Sequence, residues 1–307
     1  RVSDVDVIWS TARVIKGQVS EDASRAVERE HHWPDGVLRV AFLDLTESET
    51  LQQVKIRLQA FKHISVVDTN SGYDLLLREH RDNSDGQRYI VTEGGDPTEI
   101  SPRVAVRDPN AVARVVEQAT HWAKWFNILR ITNSHPELGV VFDLKATSTT
   151  GQGVTSDGGQ DFDLTLAADE RLSIEITNTS QQNLYIALLD LSSDGSVALV
   201  YPRRGVQEFI APGKTWSTQL QAYLPPGRDA VRDVLKLIAT TSYADFSFLQ
   251  QQAVRGAPAL QQTRGQPRNP LEELLASAAM GTTRGTRPVD LEDWVTVDKV
   301  LEVRGRK

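Results

Sequence analysis

The chain has 307 residues, 39% hydrophobic and 24% charged, which is ordinary for a globular protein and long enough for two domains. Its formal charge of −7 argues against a nucleic-acid partner, because phosphate binding needs a concentrated basic surface. There is no cysteine, so a disulfide, a zinc-thiolate centre and a cysteine nucleophile are all excluded within these residues.

No apolar run approaches the roughly 20 residues that cross a bilayer, so no membrane partner is expected. No basic-then-apolar leader stands at the start. The chain opens at Arg1 and contains only Met280, so a fragment or a processed product is expected, with a cytoplasmic location.

Residues 1–36 read as a lead-in, with a short apolar run at Val5–Trp9 and one short helix over Ser20–Glu30. A small α+β domain is expected over 37–137. It opens with a strand at Val37–Leu45, after which Thr46 is the expected N-cap of a helix, with Glu47 and Glu49 in its first turn. Leu51, Val54, Ile56, Leu58 and Phe61 form the helical stripe. Strands follow at Ile64–Asp68, Tyr73–Arg78 and Arg88–Thr92, with a polar turn at 81–86. Asp108 or Asn110 then caps a long amphipathic helix whose stripe runs Val112, Val115, Val116, Ala119, Trp122, Ala123, Phe126 and Leu129. Its aromatic residues are expected in the core.

From 138 to 249 the pattern changes to short strands at Leu138–Leu144, Phe162–Leu166, Leu172–Thr177, Leu184–Leu191 and Val197–Tyr201. Leu188 and Val200 are expected core positions. Ser193–Asp194–Gly195 between two apolar runs is the strongest hairpin signal in the chain. Hairpin-like joints are also expected at Ala211–Lys214 and Pro225–Gly227. The Gly-rich stretch 147–159 reads as a loop, Val231–Ile238 as a core strand, and Tyr243–Leu249 as a short helix. The fold class is therefore α+β: a small α/β-layer unit followed by an antiparallel, Ig-like β-sandwich. Residues 250–290 are polar and locally basic, a flexible segment that holds one helix at Leu271–Met280. In the last unit, 291–307, the alternation of Trp294–Val303 makes a strand that returns to one of the sheets.

The sandwich segment resembles a family at particular positions. These are Gly195 and Val197, Tyr201–Pro202, Pro212–Gly213, Pro226–Gly227, Lys236 with Ile238–Ala239–Thr240, and then Asp245–Phe246 and Leu249. The pattern is similar to the β-sandwich domain of unknown function found C-terminal to the protease domain of bacterial caspase-like proteins. The resemblance covers about a quarter of the chain firmly, and its motifs are structural. It implies a non-catalytic accessory or regulatory region, whose partner is the protease domain of the same parent protein or an activating protein. It also implies processing after arginine, with Arg255, Arg264 and Arg268 as exposed candidates in the flexible segment.

Site chemistry is sparse. The six histidines show no HExxH spacing and no Gly-x-Ser-x-Gly turn is present. Adjacent His31 and His32 could in principle bind a transition metal, but neighbours on an exposed segment are expected to diverge. Asp157, Asp161 and Asp163 offer hard oxygen ligands, but the EF-hand order and its terminal glutamate are missing, so a turn-forming acidic loop is the favoured reading. Arg203 and Arg204, just past a strand, form a forked pair suited to a carboxylate or phosphate, or else a solvated strand-end turn. No catalytic residue, metal or cofactor is expected. The competing function is an independent sandwich that recognises a peptide or glycan at its loops; an enzyme would need a site that only the fold assembles.

Overall fold

The computed structural model describes residues 2–5, 10–12, 37–43, 48–82, 86–93, 99–133, 138–147, 162–202, 207–225, 227–254, 270–280 and 294–305. Near the start, β1 (Val2–Val5) and β2 (Ser10–Ala12) pair antiparallel. The helix expected over 20–30 lies outside the described residues.

The α+β layer comprises β3 (Leu38–Phe42), α1 (Glu49–Leu58), β4 (Ile64–Val66), β5 (Leu75–Asp82), β6 (Gly86–Glu93) and β7 (Val104–Ala105). Its sheet runs β4-β3-β5-β6-β7, with β3 parallel to both neighbours and the rest antiparallel. The observed cap of α1 is Ser48, whose hydroxyl accepts from the Leu51 amide at 3.3 Å; Thr46 lies outside the described residues. Helical geometry explains the choice. The buried stripe is Leu51, Val54 and Leu58, and Ile56, on the opposite side of the cylinder, is 67% exposed. Ile56 is therefore not part of the stripe.

The long helix α2 (Ala111–Arg130) carries Asn110 at its cap position, where the Asp108 carboxylate accepts the Asn110 amide at 2.8 Å and pairs with Arg114. From Trp122 to Leu129 every residue of α2 is buried, which one amphipathic face cannot produce. The helix is covered on one side by the α+β layer and on the other by the sandwich. A single apolar core accordingly joins Leu51, Leu75 and Trp122 to Leu189, Ile238 and Trp294. Trp122, Trp125 and Phe126 pack together at its centre, as their helical spacing predicts.

The sandwich contributes β8 (Val140–Thr147), β9 (Leu164–Ala167), β10 (Arg171–Asn178), β11 (Leu184–Leu191), β12 (Val197–Tyr201), β13 (Phe209–Ile210), β14 (Thr215–Gln221) and β15 (Ala230–Thr240). A 3-10 turn at Ser247–Leu249, helix α3 (Pro270–Ala279) and β16 (Trp294–Arg304) complete the chain. One sheet is β14-β10-β8; the other is β12-β11-β15-β16-β9, with β13 also on β11. Strands β11 and β15 are buried on both faces. Leu184, Ile186 and Leu188 point between the sheets, whereas Ala187, Leu189 and Leu191 join the core around α2.

Several details differ from expectation. The turns at 211–214 and 225–227 are not hairpins: they carry the chain from one sheet to the other, because β13 pairs with β11 while β14 pairs with β10. The Gly213 amide, at φ 71°, donates to the Asn178 carbonyl and so delivers the chain to the second sheet. The final strand β16 pairs antiparallel with β15 but parallel with β9, so the sandwich is not wholly antiparallel. Only three residues of 243–249 are helical, and Val200 on edge strand β12 is half-buried, whereas Leu188 is fully buried. In the segment expected to be flexible, Leu271, Leu275 and Ala279 of α3 enter the first core, and Glu272 accepts the Asp245 amide at 2.7 Å.

Candidate functional site at one end of the sandwich

Alternation on β11 places Leu184, Ile186 and Leu188 in the sandwich interior, and the next position in phase is Asp190. On the neighbouring β15 the interior phase runs Val231, Asp233, Leu235 and Leu237. Antiparallel register sets Asp190 opposite Leu235 and Leu191 opposite Val234, so both carboxylates sit at the same end of the interior. Two adjacent core strands thus exchange apolar side chains for acids where they leave the core.

The following turn arranges the polar groups around them. Gly195, at φ 80°, closes the Ser192–Ser196 turn, and Asp194 Oδ1 accepts the Ser196 amide at 2.9 Å. The Ser193 amide donates to Asp233 Oδ1 at 3.0 Å, while the Ser192 hydroxyl donates to Asp190 Oδ1 at 3.4 Å. Burial pushes the Asp190 carboxyl up to about 7, and the nearby Asp233 charge adds to the shift. Burial likewise pushes Asp233 up to about 6, against the bond from Ser193.

These acids stand over a cavity of about 200 Å³ between the sheets. Its walls are aliphatic, from Leu166, Leu172, Leu220 and Leu301 among others, and Tyr223, 67% exposed, lies on its rim. Three carboxylates line it, Asp190, Asp194 and Asp233, and no lysine, arginine or histidine is among the described residues that do.

The same turn is tied to α2. His121 Nε2 and Gln251 Nε2 both reach the Gly195 carbonyl, at 2.9 and 2.7 Å, and burial lowers the His121 pKa. Lys124 of α2 donates to the carbonyls of Phe248 and Gln250. Further along, Lys236, fully buried on β15, donates to both Asp298 oxygens at 2.8 Å and to the Ile131 carbonyl at 2.9 Å. Lys236 is therefore a tie between the sandwich and the end of α2.

At the opposite end of the sandwich, buried Asn178 donates to the carbonyls of Gln182 and Ile210 and accepts from the Ser180 amide and hydroxyl. Outside that plug, Tyr185, Phe209 and Tyr243 meet edge to face, with Phe209 and Tyr243 each 52% exposed.

Of the residues singled out from sequence, Arg203, Arg204, Arg255, Arg264, Arg268, His31, His32, Asp157 and Asp161 lie outside the described residues. Asp163 is described, and its carboxylate is occupied by Lys299 at 2.7 Å and the Val300 amide at 2.8 Å. Among the described residues, no three His, Asp or Glu side chains stand together as a metal site, and no helix is long and apolar enough to cross a membrane. The pair that sequence reading missed, Asp190 and Asp233, does leave a trace: each interrupts an apolar alternation at an inward phase. No family model matches the chain, and no curated protein is detectably similar to it.

Proposed function

We propose that this chain is a non-catalytic accessory region of a bacterial caspase-like cysteine protease, acting in the cytoplasm to position or restrain the protease domain. The observation that carries this reading is the continuous core around α2, which holds the α+β layer and the sandwich in one fixed relation. A region that must orient a second domain needs such rigidity, and the absence of any thiol removes the chemistry that a protease of that kind would use. The resemblance at 195–249 supplies the protease context. The partner is the protease domain or its activator rather than nucleic acid, with Arg203 and Arg204 as contact residues and Arg255, Arg264 and Arg268 as processing sites.

Two measurements test it. The purified chain should not turn over arginine- or aspartate-terminated peptide reporters, and titrating it onto the protease domain of its parent reading frame should change that domain's rate saturably. Turnover that is lost on mutating a residue of this chain overturns the reading, as does a protease rate indifferent to it. The aromatic group of half-buried Tyr185 with exposed Phe209 and Tyr243 favours a second reading, an independent sandwich that binds a peptide or glycan at its loops. Glycan binding that is abolished by Phe209→Ala, with no effect on any protease, would favour that alternative.

A further inference from the structure

Two half-buried acids alone need no ligand, since each can hold a proton. The cavity beneath them is a second and independent feature. At about 200 Å³ it exceeds what one or two waters fill, being roughly six times the ~30 Å³ share of a water molecule. Leucine and valine side chains form much of its wall, and the lining also carries three carboxylates, with no base among the described residues that line it. An aliphatic wall rewards an alkyl stem, a carboxylate pair rewards a cationic head, and an exposed aromatic ring on the rim suits a cation passing over its face.

We propose that this end of the sandwich is a receptor for a guanidinium or ammonium head on an aliphatic stem, of the kind an arginine or lysine side chain presents. The stem lies against Leu166, Leu172 and Leu220, the head reaches Asp190 and Asp233, and Tyr223 covers the entrance. Strands β9, β10, β14 and β16 bring only neutral groups to the cavity, so the three acids alone set its charge. An entering cation favours the ionised carboxylates, and binding must therefore release protons and strengthen as pH rises through the 6 to 7 range in which the empty pair titrates. The proposal rests on reading the chain as a binding module, but it does not need the partner to be a protease.

The test is titration of the isotopically labelled full chain with Nα-acetyl-arginine amide, its neutral isostere Nα-acetyl-citrulline amide, and an arginine-centred peptide, followed by amide shifts. Expected are saturable shifts at Ser192–Ser196 and Tyr223 with the arginine probe, at least about tenfold weaker binding with citrulline, and a similar loss in Asp233→Asn, as removal of a charge-assisted contact implies. Binding at pH 8 should exceed that at pH 5. Tyr223→Ala, at an exposed position that the fold does not depend on, should weaken binding while leaving the melting temperature unchanged, which separates a lost site from a lost fold. A peptide that binds about tenfold more tightly than the amide identifies a protein side chain as the source; equal affinities identify a free small cation. Equal shifts with arginine and citrulline, or none at millimolar probe, overturn the receptor. Its failure leaves the protease titration free to succeed, and the reverse also holds.

Discussion

The two ends of the sandwich solve one problem in opposite ways. Where strands leave a core, buried polar groups must find partners or water. At one end Asn178 supplies four hydrogen bonds and plugs the gap, and aromatic rings cover the outside. At the other, Asp190 and Asp233 line a cavity, and the Ser192 hydroxyl and the Ser193 amide donate to their carboxylates. The plugged end is arranged for stability. The acidic end keeps two carboxyls in an environment that opposes their ionisation, which is a cost that a ligand can relieve.

The largest effects belong to the shared interior and the plugged end. Leu188→Ala should destabilise by ~2–4 kcal/mol, and Val200→Ala by clearly less, since Val200 sits half-buried on an edge strand. Equal losses in denaturant melts would show that the two sites are equally buried and that the interior is not centred on β11. Asn178→Ala should cost ~2–3 kcal/mol, because the Ile210 carbonyl loses its side-chain donor, the Ser180 amide its acceptor, and the Gln182 carbonyl one of its two donors. A melting curve that matches the parent would mean that water replaces the asparagine, and the contrast between the ends would vanish.

How much of this was legible in sequence follows from what each signal encodes. Leu184–Leu191 and Val197–Tyr201 are read correctly because a Ser-Asp-Gly turn fixes both their ends. The joints at Pro212–Gly213 and Pro226–Gly227 carry equally good turn residues yet are crossings. Turn chemistry specifies a local reversal and is silent on which sheet supplies the next hydrogen-bonding partner. The burial of Trp122–Leu129 on all sides was invisible for a similar reason: the stripe of α2 predicts one covered face, and the second cover comes from strands more than fifty residues away. The acid pair escaped because one aspartate in a strand looks like an outward residue until the partner strand's phase is known.

The acidic end should respond to pH with a definite sign. Both carboxyls sit above their ordinary value near 4, so between pH 4 and about 7 the native state holds protons that the unfolded chain releases. Their contribution to stability therefore falls as pH rises through that window. Asp190→Asn and Asp233→Asn should each gain stability at pH 8, on the order of 1–2 kcal/mol, and gain little at pH 4. Variants that lose stability at pH 8 would show that the carboxylates are held by partners in their ionised form, which removes the basis of the contrast.

The smallest expected effect joins the acidic turn to α2 and runs the other way. Burial holds the His121 imidazole below its ordinary 6.5, so the unfolded chain takes up its proton first as pH falls. The stability that His121 contributes is present in full above 6.5 and is lost as pH drops toward the folded value, while the carboxylates gain over the same range. Parent melts should thus show a flattened profile between pH 5 and 7, the remainder of two opposed slopes. His121→Gln keeps a donor for the Gly195 carbonyl but cannot titrate. It should leave stability at pH 8 within about 0.5 kcal/mol of the parent. Below pH 6.5 it should unmask the carboxylate slope, so that the variant grows more stable than the parent as the solution is acidified. If instead the variant grows less stable than the parent below pH 6.5, the imidazole takes up its proton more readily in the folded protein than in the unfolded chain. The bond to Gly195 would then be that of a cation facing Asp194, and the turn would carry a positive charge beside the cavity.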